Sequence, residues 1–138
     1  MSFVLDARLA ADSHPVGDLA LSQLRLFDDA RFPWLLLVPR IAGARELIDL
    51  DRDDRCTLLD EITAVGRAWE TLLQPDKLNI AALGNLVPQL HVHLIARYVH
   101  DCAWPRPVWG QGTPIAYEAA ARDALLARLR GALQAQLD

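Results

Sequence analysis

Gly84-Asn85-Leu86-Val87-Pro88-Gln89-Leu90-His91-Val92-His93-Leu94-Ile95 is the stretch of this chain that carries most chemistry per residue. Gly84-Asn85 reads as a turn, and the residues after Pro88 alternate as a strand does. On a strand, every second side chain shares a face. Gln89, His91 and His93 therefore project together, while Leu90, Val92 and Leu94 point into a core. Two imidazoles and an amide backed by an apolar layer make a preorganised polar surface; a solvated strand face more often carries lysine, glutamate or threonine. A histidine attacks phosphorus only when neutral, with a lone pair on the attacking nitrogen. Its other nitrogen then carries the proton and needs a carbonyl or an acid to hold it. Strand carbonyls have fixed directions and suit that task. The neighbouring histidine and glutamine can donate to phosphate oxygens, and Asn85 adds a donor where Gly84 permits close backbone approach.

Upstream, residues 19–28 alternate as a half-buried strand. Leu24, Leu26 and Ser22 face one way, and Gln23, Arg25 and Phe27 the other. Asp28-Asp29-Ala30-Arg31 supplies a polar turn before residues 32–38, apolar on both faces and closed by Pro39. Two short strands joined by a short link predict a hairpin and an antiparallel sheet. From Asp51 the period changes: Leu58, Ile62, Val65, Trp69 and Leu72 recur every three or four residues, the apolar stripe of a helix that Pro75 ends. The acidic residues 51–54 sit at its start, where carboxylates cap free amides. Residues 77–83 return to strand character, and residues 90–98 form the strand of the histidines. Residues 101–114 hold three prolines and two tryptophans, which reads as an ordered loop. Leu125, Leu129, Leu133 and Leu137 place a final helix at about 117–137. Residues 1–18 mix small, polar and turn types around His14-Pro15 and Gly17 and read as mostly irregular. The expectation is one α+β domain over 1–138, its core at about 19–110: an antiparallel sheet with one long helix and a C-terminal helix.

Composition narrows the partners. Hydrophobic types make up 52% of the 138 residues, enough for a real core. Lys plus Arg number 14 against 18 acidic residues, a formal charge of −4, with no basic stripe; nucleic acid is not an expected partner. Trp34-Leu35-Leu36-Leu37-Val38 is far short of the roughly 20 residues that cross a bilayer. Residues 1–11 carry Asp6 and Arg8 among their apolar residues and do not read as a signal peptide. Cys56 and Cys102 show neither a zinc-type spacing nor a disulfide framework, so a reducing cytoplasm is the expected location.

The histidine segment resembles the histidine triad (HIT) superfamily, whose signature is His-φ-His-φ-His-φ-φ with φ apolar. Here it reads Gln89-Leu90-His91-Val92-His93-Leu94-Ile95. The hairpin ending in residues 35–39, the acidic-capped helix, the Asn79 strand and the Gly84-Asn85 turn follow in HIT order. The loop Trp104-Pro105…Pro107-Val108-Trp109-Gly110 is similar to that of small bacterial HIT proteins. The resemblance implies an enzyme acting on a nucleotide or nucleotide conjugate, a hydrolase or nucleotidyl transferase working without a cofactor or metal, and a homodimer joined through sheet edges and the long helix. By position, His91 is the nucleophile that would form a nucleotidyl-histidine, and His93 orients the site and contacts phosphate. Asn85 takes the place of a phosphate-binding glutamine, Asn79 that of an upstream polar ligand, and Asp29, or Asp28 beside it, that of the acid holding ribose hydroxyls.

Three departures stand out. Gln89 replaces the first histidine; as a third catalytic candidate it keeps donor and acceptor capacity but carries no proton. Leu86 stands where many members have a serine or threonine that helps the leaving group. Arg40-Ile41-Ala42 occupies a stretch where a histidine is often found. These departures keep a second class of function open, a nucleotide-binding or regulatory module with little turnover. A third is a metal-dependent enzyme using the histidine pair, which would need further ligands such as His14, His100, Asp28 or Cys102 from distant segments. Asn85 beside Gly84 also reads as a simple turn residue, and Asp29 as a solvated turn acid.

Overall fold

In the computed structural model, which covers residues 1–138, five antiparallel strands lie in the order β1-β2-β3-β5-β4. They are β1 (Ser13–Asp18), β2 (Ser22–Phe27), β3 (Trp34–Pro39), β4 (Lys77–Ala81) and β5 (Val92–Arg97). All residues of β3 and β5 are buried, because these interior strands are covered on both faces. Leu24, Leu35, Leu37, Val92 and Leu94 meet two helices on one face: α2 (Arg52–Leu73) through Leu58, Val65 and Trp69, and α3 (Ala119–Ala132) through Leu126 and Leu129. A fully buried leucine contributes roughly 1.5–3 kcal/mol, so this layer is a stiff floor for whatever projects from the other face. There Trp34, Leu36, Val38 and Ile95 pack with Phe32, Ala103, Val108 and Leu9, the last from the short helix α1 (Ala7–Ala11).

The expected α+β layout holds, with the hairpin of β2 and β3 in place. So does the acidic start of α2: the Asp51 side chain accepts the Asp54 N–H, and Asp53 and Asp54 lie in the first turn. Its end at Gln74, in the left-handed region with φ 47°, precedes Pro75.

Residues 1–18 are not irregular. They hold α1, capped by the Asp6 side chain on Arg8 N–H, and the edge strand β1. Pro15 and Gly17 look like strand breakers, yet an edge strand tolerates a missing N–H, and the register with β2 shifts between these two residues. Gly17 also gives room to Leu137, whose nearest atom stands 3.1 Å from where a Cβ would be. The C-terminal helix is shorter than 117–137, and Leu133 and Leu137 reach the core from the turns that follow it. No helix is long and apolar enough to cross a membrane.

Candidate active site

Gly84 takes a left-handed φ of 81°, which turns the chain out of β4 toward the histidine strand. His93 lies in β5, opposite Leu36 of β3 and Ala81 of β4, and His91 just precedes that strand. Both are 7% exposed and line one cavity. Leu90, Val92 and Leu94 point the other way, into the core beneath the helices.

The partners of the two rings fix their tautomers. His91 Nδ1 lies 2.7 Å from the carbonyl oxygen of Gln89. A carbonyl only accepts, so neutral His91 carries its proton on Nδ1 and keeps a lone pair on Nε2. Trp34 donates its indole N–H to His93 Nδ1 at 2.9 Å. An indole only donates, so His93 carries its proton on Nε2. The ring centroids stand 4.8 Å apart. One ring thus offers an acceptor nitrogen, and its neighbour a donor. Burial, with a smaller contribution from nearby His91, pushes His93 down from 6.5 to about 3, so at neutral pH it donates a hydrogen bond without bearing charge.

The cavity has a volume of about 360 Å³, in the range of small-molecule sites. Phe27 stacks on Trp34 with centroids 4.3 Å apart, and Trp109 stands edge-on to Trp34 and to His93. Leu9, Leu36 and Val87 extend the apolar wall. Asp12 and Asn85 are the other polar side chains in the lining, which includes no lysine or arginine. Leu86, 81% exposed, is part of the same lining.

Of the residues singled out from the sequence, His91, His93 and Asn85 come together at this cavity. The other three do not line it, and each is committed elsewhere. Gln89 Oε1 accepts the Asp6 N–H and its Nε2 donates to the Val4 carbonyl, both at 2.8 Å. Asn79 lies on β4 opposite Ile95, where its Oδ1 accepts from Arg97 at 3.0 Å; Arg97 is itself paired with Asp101. Asp29 is not a solvated turn acid but fully buried. Its carboxylate takes two bonds from the Arg31 guanidinium and further N–H bonds from Arg31 and Ile115. Asp28 accepts the Tyr117 N–H and sits 3.4 Å from His14 Nε2.

The sequence reading missed Trp34, Leu9 and Asp12. For Trp34 a signal existed: it shares a strand face with Leu36, which pairs with His93. Nowhere do three or more His, Cys, Asp or Glu gather as metal ligands.

The HIT domain family matches residues 8–100. A histidine triad protein from Bradyrhizobium japonicum is 50% identical, with a TM-score of 0.93 over 95% of this chain and 98% of that one. Histidine triad proteins from Marinobacter aquaeolei (42% identity, TM-score 0.96, 99% of both chains) and Sinorhizobium meliloti (42%, 0.93, 95% of this chain and 97% of that one) are also similar. None of the curated proteins matches. Strand order, the paired imidazoles at one cavity and these likenesses agree: the chain belongs to the histidine triad family.

Proposed function

We propose that the protein is a nucleotide hydrolase or nucleotidyl transferase that works through a covalent nucleotidyl-His91. The carrying observation is the pair of opposite tautomers, His91 with a free lone pair beside His93 with a free N–H. His91 Nε2 attacks the phosphorus of a nucleotide conjugate. The Nε2–P bond forms as the bond from phosphorus to the leaving group breaks, and the leaving group departs with the electron pair and takes a proton from water. The imidazole gains positive charge in this step, which strengthens its Nδ1–H bond to the Gln89 carbonyl. His93 Nε2–H and the Asn85 amide donate to phosphoryl oxygens, each worth roughly 1.5–3 kcal/mol when the acceptor is charged. Water then attacks phosphorus, the Nε2–P bond breaks, one water proton is released, and a nucleoside monophosphate leaves. Phe27, Trp34 and Trp109 offer aromatic surface for a base.

The test is AMP release from an adenosine phosphoramidate by wild type and His91→Ala, with mass spectrometry for an adenylyl adduct on His91. Release and adduct present in wild type and lost in a folded variant support the reading. Turnover retained in the variant overturns it.

A nucleotide-binding module with little turnover is the second reading. Leu86 in the lining and the absence of Gln89 from the cavity favour it, since neither a hydroxyl at 86 nor a third imidazole assists departure. Thermal stabilisation by AMP without product formation would select it. We place the protein in the cytoplasm, a reading supported by two exposed free thiols, Cys56 and Cys102, and as a homodimer. Light scattering should give twice the chain mass, and a monomeric mass overturns the dimer.

A further inference from the structure

We propose that Gln89 is a positioning residue that joins two parts of the site: its side chain pins residues 1–12 as a wall of the cavity, and its carbonyl orients His91. The kinetic part of this inference rests on the function proposed above; the structural part does not.

The wall is built from the N-terminal segment. Leu9, 5% exposed, and Asp12 line the cavity, and Phe3 and Leu5 pack on the apolar cluster that contains Trp34 and Leu36. One end of the segment is fixed by buried Arg25, which donates to the Ser13 carbonyl at 3.0 Å and to Ser13 Oγ at 2.6 Å. The other end is held by three hydrogen bonds to the turn before β5: one that Gln89 accepts from the Asp6 N–H, one that it donates to the Val4 carbonyl, and one from Arg8 Nη1 to the Leu86 carbonyl at 3.0 Å.

The chemistry of position 89 suits that task. The Val4 carbonyl and the Asp6 N–H flank Leu5 and bond to the same side chain. A carboxamide presents an acceptor and a donor side by side and meets both, as one residue of a β-ladder would. The two nitrogens of an imidazole diverge, so a histidine here would meet one of them. Glutamine also holds both bonds at any ordinary pH, because it does not titrate. The same residue's carbonyl accepts from His91 Nδ1 at 2.7 Å. Docking of the wall and alignment of the nucleophile therefore run through one residue.

Loss of the amide should open the wall while leaving the backbone carbonyl in place, so binding suffers more than chemistry. In Gln89→Ala, KM for adenosine phosphoramidate should rise about tenfold, the loss of two ordinary hydrogen bonds, and kcat should fall less than threefold. Gln89→Glu accepts from Asp6 but, when ionised, has no proton for Val4. The ratio of its KM to that of wild type at the same pH should fall toward one as pH drops and the carboxyl protonates. Hydrogen exchange provides a readout free of activity: the Asp6 amide should exchange at least tenfold faster in Gln89→Ala and in the similarly sized Gln89→Met, which both lack its acceptor, and should stay protected in Gln89→Glu, which keeps it. Unchanged Asp6 exchange in folded Gln89→Ala or Gln89→Met overturns the proposal, as does a fall in kcat with KM unmoved. Where Gln89→Ala does not fold, Gln89→Met decides alone. If wild type releases no AMP, the proposed function fails by itself, and the exchange comparison still decides the role of Gln89.

Discussion

Trp34 gives its indole N–H to Nδ1 of His93 at 2.9 Å, from a position on β3 two residues away from the Leu36 that pairs with that histidine. The bond decides which nitrogen of His93 faces the reaction. In Trp34→Phe an aromatic ring remains against Phe27, but the buried Nδ1 loses its donor and the tautomer is no longer imposed. One hydrogen bond is worth about 0.5–1.5 kcal/mol, so kcat/KM should fall roughly three- to tenfold. Nitrogen chemical shifts should report a mixture of His93 tautomers in the variant and one tautomer in wild type. A single Nε2–H tautomer in both would overturn the assignment.

Charge in the cavity bears on the substrate. The lining holds no lysine or arginine, His93 is uncharged at neutral pH, and the Asp12 carboxylate has no side-chain partner. Each added negative charge near Asp12 costs on the order of 1 kcal/mol at an intermediate dielectric. Adenosine phosphoramidate should therefore exceed a diadenosine polyphosphate in kcat/KM by at least tenfold, and Asp12→Asn should narrow the gap. Equal rates on the two substrates would contradict this.

Acid should weaken the fold in two successive, partly overlapping windows. His93 has its folded value depressed to about 3 from 6.5, so between those values the unfolded chain binds the proton and the folded one does not. Stability is full above about pH 6.5 and falls as pH drops, by roughly 3 kcal/mol between pH 7 and pH 4. Asp101 follows at lower pH. Burial would raise it, but the Arg97 guanidinium and the N–H groups of Ala103, Tyr98 and Trp104 prevail and hold it at about 2. Its contribution is lost between its ordinary 3.8 and about 2. Urea denaturation of wild type and His93→Gln across pH 7 to 4 checks the first window. The variant should show a flatter profile, and parallel profiles would refute the burial argument.

What could be read from the sequence was what repeats locally. A period of two separates Leu90, Val92 and Leu94 from His91 and His93, and the structure keeps that division. A period of three to four marks α2, and Asp51 its start. Strand β1 escaped because Pro15 and Gly17 break a pattern that an edge position tolerates. Contacts between distant segments escaped as well: Gln89 meets residues more than 80 positions away, and Trp34 meets His93 across 59. Asp29 is the instructive case, because its partner Arg31 lies only two residues on and an acid-x-Arg pair in a turn was visible. The burial that makes that pair structural depends on the loop carrying Gln111 and Ile115, which folds over it.

Two carboxylates can therefore be told apart by experiment. Asp29 is fully buried and holds Arg31 through two bonds, whereas Asp12 is exposed and lines the cavity. Removing one partner of a buried ion pair costs roughly 3–5 kcal/mol. Asp29→Asn should accordingly lower Tm by roughly 10 °C, with KM for adenosine phosphoramidate unchanged at a temperature where the variant is folded. Asp12→Asn should leave Tm nearly in place, as surface substitutions do, and shift KM by severalfold. The opposite pattern, a stable Asp29→Asn protein with a raised KM, would show that Asp29 leaves Arg31 to meet the substrate and would return the sugar-binding role to the early turn.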